Sequence, residues 1–147
     1  GPYSSKTSGV EINEFLHENG EEVQEILYSD KTDFKHKVKD ILKHLRAEKV
    51  DLTDVVFLAP KKYSNSILNE MEIDVNELGD KFDFNSLLPR YATIQGFKGL
   101  DAKIVILVDI DNISDKNFSR FMYIAATRAR TLLYVVASEE FWTKHGN

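Results

Sequence analysis

Apolar residues recur along two periods in this chain. Phe34, Val38, Ile41, Leu42 and Leu45 fall at i, i+4, i+7, i+8 and i+11, one face of a 3.6-residue repeat. The spacing predicts a helix over residues 33–47, capped by Asp33 or Thr32. The runs VVFLA at 55–59, stopped by Pro60, and IVILV at 104–108 are continuously apolar, which suits strands covered on both faces of a parallel sheet. LLYVVA at 132–137 reads the same way, and VQEILY at 23–28 and YATI at 91–94 are shorter strands. A short helix is predicted over 64–71, capped by Ser64 or Asn65. Another runs over 118–128, with Phe121, Met122, Ile124 and Ala125 inward. Residues 72–89 form an irregular acidic connection in which Phe82 and Phe84 alternate as an edge strand. Buried strands alternating with helices predict an α/β domain with a mainly parallel sheet.

Length and composition narrow this picture. The 147 residues suit one domain with a real core, and 42% hydrophobic content excludes disorder over the whole chain. We divide the chain into residues 1–9, a cleavage scar (Gly1-Pro2) with a flexible lead-in, and the domain 10–147. There is no Cys, hence no disulfide framework, thiolate zinc site or Cys nucleophile. No apolar run approaches the roughly 18 residues of a membrane span. With no secretory signal visible, the expected compartment is a reducing cytoplasm.

Charge is uneven. Residues 1–89 carry 11 basic and 18 acidic side chains, including the unpartnered run Glu11, Glu14, Glu18, Glu21 and Glu22, whereas residues 90–147 carry 8 basic and 6 acidic. An anion is therefore best sought in the last 58 residues. The polar face of the first helix holds Lys35, Lys37, Lys39, Lys43 and Arg46, which we read as a solvated face rather than a DNA-binding stripe.

Several chemistries are excluded by spacing. A phosphate-binding loop needs Gly-Lys before Ser or Thr, and the chain has no Gly-Lys dipeptide. The run IVILVD ends in Asp109 like a Mg²⁺-binding strand, but without that loop it reads as a buried strand entering a polar turn. The acids Asp109, Asp111 and Asp115 lack the Gly and Glu of a calcium loop, and His17, His36, His44 and His145 lack metal-ligand spacing.

Two segments stand out. Thr93-Ile94-Gln95-Gly96-Phe97-Lys98-Gly99-Leu100-Asp101 links two predicted strands, with glycines bracketing Phe97-Lys98 so that backbone N–H groups and a lysine can meet phosphate oxygens. We read Phe97 as core packing. Tyr123-Ile124-Ala125-Ala126-Thr127-Arg128-Ala129-Arg130 closes a helix before the last strand. Its two arginines, two residues apart, cannot share a helix face and so have different roles.

In order and in context, these segments resemble motifs V and VI of superfamily 1 DNA helicases of the UvrD, PcrA and Rep type. The likeness covers residues 90–137. It implies a RecA-like three-layer domain, the second motor domain (2A), with the P-loop NTPase-like fold but no P-loop. The parent would be an ATP-dependent DNA helicase acting in DNA repair, with ATP and Mg²⁺ bound mainly by an N-terminal RecA-like domain of the same parent chain. By this resemblance Arg128 is the arginine finger on the γ-phosphate, Gly99, Asp101 and Arg130 flank the nucleotide, and Thr93, Gln95 and Lys98 contact single-stranded DNA. This chain alone would be inactive. Gln95 stands where the family has His, and Asp101 where it has Glu. Arg130 has no fixed family role beyond pairing with an acid. Motif IV and the large 2B insertion are missing, unless 72–89 is the stub of the latter. The alternative reading is a helicase-derived protein or nucleic-acid binding module without ATP chemistry. The likeness leaves polarity, pathway and any nuclease partner open.

Overall fold

The computed structural model describes residues 22–145; the acidic run at 11–21 and the proposed boundary at residue 10 lie outside them. Six strands make one sheet: β1 (Glu22–Tyr28), β2 (Val55–Ala59), β3 (Asn76–Glu77), β4 (Arg90–Thr93), β5 (Ala102–Leu107) and β6 (Ala129–Ser138). Their spatial order is β1-β6-β5-β2-β4-β3, and every pairing is parallel. The helices are α1 (Lys31–Ala47), α2 (Ile67–Glu70), α3 (Asp115–Arg128) and α4 (Glu139–His145). None of the described helices is long and apolar enough to cross a membrane.

The sheet separates two cores. On one face α1 lays Phe34, Val38, Ile41 and Leu45 against Val55, Phe57, Ile104, Ile106 and Tyr134. On the other, Phe118, Phe121, Met122 and Ala125 of α3 and Phe141 and Trp142 of α4 pack on Val56, Leu58, Val105 and Leu133. All five residues of β2 are buried, as expected for a central strand covered on both faces. The alternating pattern predicts the α/β class and the parallel sheet, and the family resemblance implies the three layers seen here.

Local differences have simple causes. Helix α1 starts two residues early because Asp30, not Asp33 or Thr32, is its cap: the Asp30 carboxylate accepts from Asp33 N–H at 2.8 Å. Asp33 in turn accepts from Ser29 N–H at 2.9 Å, a reciprocal cap. In place of one helix over 64–71 there is a 3-10 turn (Tyr63–Asn65) and the single turn α2, capped by Ser66 rather than Ser64 or Asn65. Phe82 and Phe84 form no strand; the edge strand is Asn76–Glu77, which β4 recruits through backbone register. In α3, Ile124 is only partly buried, while Phe118 and Ala126 turn inward.

Candidate nucleotide and nucleic-acid interface

The segment 94–101 leaves the C-terminal end of β4 and reaches the N-terminal end of β5 on the far side of β2. Eight residues suffice because Phe97, fully buried, plugs the connection into the core with Val56, Leu58 and Ala92. Its apolar role is as read from the sequence. The turn is closed by Phe97 N–H to Thr93 C=O at 3.0 Å and by Gly96 N–H to the Thr93 hydroxyl oxygen at 2.9 Å. A Cβ on Gly96 would lie 2.9 Å from that hydroxyl oxygen, so a side chain there breaks the turn. Gly99 has φ +80, a left-handed conformation that favours glycine.

This crossover divides the predicted site residues between opposite ends of the sheet. At the C-terminal end, Thr93 and Gly96 line a cavity of about 310 Å³ with Lys62, Tyr63, Gly79 and Tyr91. Gln95 and Lys98 are exposed on the turn. Tyr63 and Tyr91 meet edge to face with centroids 5.4 Å apart, and both hydroxyls donate to backbone carbonyls, of Ile73 and Lys61 respectively. The wall is therefore rigid.

At the N-terminal end the charges gather. Asp101 enters β5, and Arg130 lies in β6, where Ala129 is registered with Ala102. The Arg130 guanidinium donates to the Asp101 carboxylate, both about half exposed. The acid that pairs with Arg130 is thus the residue assigned by resemblance to the nucleotide. Arg128 is the last residue of α3, half-buried, and its Nε–H is buried with no acceptor among the described residues.

Arg90, which no spacing in the sequence marks, opens β4 on this same edge and also has a buried Nε–H without an acceptor among the described residues. Burial pushes the Arg90 pKa down; Asp54 and Asp101 oppose this, and the positive Arg130 adds to it. One edge therefore holds three guanidinium groups against two carboxylates. Such an edge can receive an anion.

A second charged locus lies at the C-terminal ends of β5 and β2. The chain leaves these neighbouring strands in opposite directions, towards β6 and towards β4, and crevices at such points commonly bind ligands in α/β sheets. Here a cavity of about 280 Å³ is lined by Pro60, Lys61, Asp109, Asp111, Asn112 and Ile113. Its carboxylates serve the fold. Asp109 accepts from the Ser66 hydroxyl at 2.6 Å and from Ile67 N–H at 3.1 Å, holding α2. Asp111 accepts from the Tyr28 hydroxyl at 2.5 Å and from Ser138 N–H at 2.6 Å, tying together the ends of β1 and β6. Burial raises the Asp109 pKa, with Ser66 and Ile67 opposing. Among the described residues, no three His, Cys, Asp or Glu side chains converge as metal ligands.

Fold and edge together define a RecA-like α/β domain that presents arginines from one end of a parallel sheet. Residues 90–136, from β4 into β6, match the profile of the UvrD-like helicase C-terminal domain. The C-terminal domain of a possible DNA helicase from Lactobacillus plantarum WCFS1 shares the fold, with a TM-score of 0.65 at 15% identity over 97% of this chain and 93% of that one. No curated protein sequence matches the chain significantly.

Proposed function

We propose that this chain is the second motor domain of an ATP-dependent, UvrD-like DNA helicase, and that Arg128 is its arginine finger. The supporting observation is the half-buried Arg128 side chain at the end of α3, whose buried Nε–H has no acceptor among the described residues. A buried donor without a partner costs about 1–3 kcal/mol, and a phosphate oxygen brought by a facing domain would relieve it. The finger would neutralise charge that develops on the γ-phosphoryl group in the transition state, an effect of about 10³–10⁵ in rate. With no Gly-Lys in the chain, a phosphate loop and most Mg²⁺ ligands would come from an N-terminal RecA-like domain of the parent. At the opposite end, the Thr93 hydroxyl accepts from Gly96 and keeps its own hydrogen to donate to a single-stranded DNA phosphate, with Gln95 and Lys98 exposed beside it. Gly99 would keep the turn open to the nucleotide, and Asp101 would hold Arg130 near it.

The chain alone is expected to show no DNA-stimulated ATP turnover. Turnover by the isolated chain that Arg128→Ala abolishes would contradict the need for a second domain. In the full-length parent, Arg128→Ala should lower kcat by orders of magnitude with folding intact, and an unchanged kcat would refute the finger.

A further inference from the structure

The solvent side of α1 separates its charges. The helix carries six basic and two acidic side chains in a chain of net charge −5. At 3.6 residues per turn, Lys35, Lys39, Lys43 and Arg46 fall within a sector of about 80° that contains no acid. Both carboxylates, Asp33 and Asp40, lie about 60° or more beyond its edge. The remaining two lysines are engaged: Lys31 pairs with Glu70 at 2.5 Å, and Lys37 donates to the Leu27 carbonyl at 2.7 Å beside Asp33. The four in the sector have no carboxylate partner among the described residues, and three of them, Lys39, Lys43 and Arg46, are exposed.

A face that only solubilises a helix gains from alternating signs at i, i+4. This one places like charges there twice, Lys35–Lys39 and Lys39–Lys43, which weakens the helix. The helix dipole favours Arg46 and the last turn but leaves Lys35 and Lys39 without compensation. The stripe is straight and about 16 Å long. It contains no aromatic residue, since Phe34 is buried beneath it. Single-stranded nucleic acid is usually held by stacking on aromatic rings. A row of cations without rings fits the phosphate backbone of a duplex, read without regard to sequence.

The sequence alone reads this face as merely solvated. With Lys37 engaged and the other four unpaired among the described residues, we infer instead that α1 is a duplex-DNA contact, formed by Lys35, Lys39, Lys43 and Arg46. The contact uses none of the residues assigned above to nucleotide or single-stranded DNA and needs neither nucleotide nor a second domain. It therefore stands or falls separately from the proposed motor function. The experiment is fluorescence anisotropy of the 147-residue chain with a labelled 20-bp duplex across a salt series. Three to four phosphate contacts predict a log K against log [salt] slope of roughly −3 to −4.

The triple variant Lys35→Gln, Lys39→Gln, Lys43→Gln keeps good helix formers and removes the repulsion, so its circular dichroism should be unchanged. Its slope should shrink by about three units, with affinity at low salt falling tenfold or more. Lys116→Gln, an exposed lysine elsewhere, should leave the slope as it is. A slope unchanged in the triple variant would overturn the inference. So would single strands binding as tightly as duplex, or polyglutamate of equal charge competing as well as DNA.

Discussion

The two charged ends of the sheet differ in the sign of their excess charge and in how their groups are satisfied. At the C-terminal end, Asp109 and Asp111 accept four hydrogen bonds from Ser66, Ile67, Tyr28 and Ser138. At the N-terminal end, Arg128 and Arg90 keep buried Nε–H groups with no acceptor among the described residues, beside the paired Arg130 and Asp101. In the crevice that general rules nominate as a ligand site, both carboxylates are thus engaged in holding the fold. The edge with donors to spare is the one that holds the proposed finger, Arg128. Charge is present at both ends; the count of unmet hydrogen bonds tells them apart.

The comparison can be sharpened by substitution. Phe97→Ala should cost most, about 3–5 kcal/mol, because it empties a fully buried position that anchors the crossover between the two ends. Chemical unfolding would measure it, and a loss below 1 kcal/mol would show that the connection is held by other means. Asp111→Ala should cost about 1–3 kcal/mol by stranding the Tyr28 hydroxyl and the Ser138 N–H, and should leave any parent ATPase rate at saturating ATP untouched. A lowered kcat there would give the crevice of Asp109 and Asp111 a part in ATP turnover and contradict its purely structural reading. Gly99→Ala should cost about 1–2 kcal/mol, since alanine is strained at φ +80.

The smallest effect concerns pH. Burial raises the folded pKa of Asp109, so ionising it opposes folding. The stability it contributes is complete below the unfolded value near ~3.9 and declines as pH rises through the folded value. Asparagine tolerates the left-handed φ of 61 at this position and can still accept from Ile67 N–H. Asp109→Asn should therefore gain on the wild type between pH 4 and pH 7, read from urea midpoints. A difference that shrinks over that range would contradict the assignment.

Much of this was legible in sequence because it is local. The apolar runs at 55–59 and 104–108 belong to central strands covered on both faces, and their short length and β-branched residues point to strands. Phe97 between two glycines, and the arginine closing α3, were legible from motif chemistry. What was not legible depends on distant partners. Asp30 and Asp33 are equally good caps until Ser29 N–H selects the reciprocal arrangement. The strand Asn76–Glu77 has no apolar pattern; β4 recruits it, and the Asn76 side chain grips Asp83 through its N–H and C=O at 3.0 and 2.8 Å. Helix α4 is too short for a period and is held by Phe141 and Trp142 against the sheet. Arg90 joins the edge only through strand order, in which β4 lies next to β2 though residues 60–89 separate them.

The most direct test sets the two edge arginines against each other. Arg128→Ala and Arg130→Ala should be compared for DNA-stimulated ATP turnover in the full-length parent. If the unmet donor is the functional one, Arg128→Ala lowers kcat by about 10³-fold or more. Arg130→Ala, whose side chain is paired with Asp101, should cost less than roughly tenfold, in keeping with the small worth of exposed ion pairs. Equal losses for the two variants, or a larger loss for Arg130→Ala, would contradict the account.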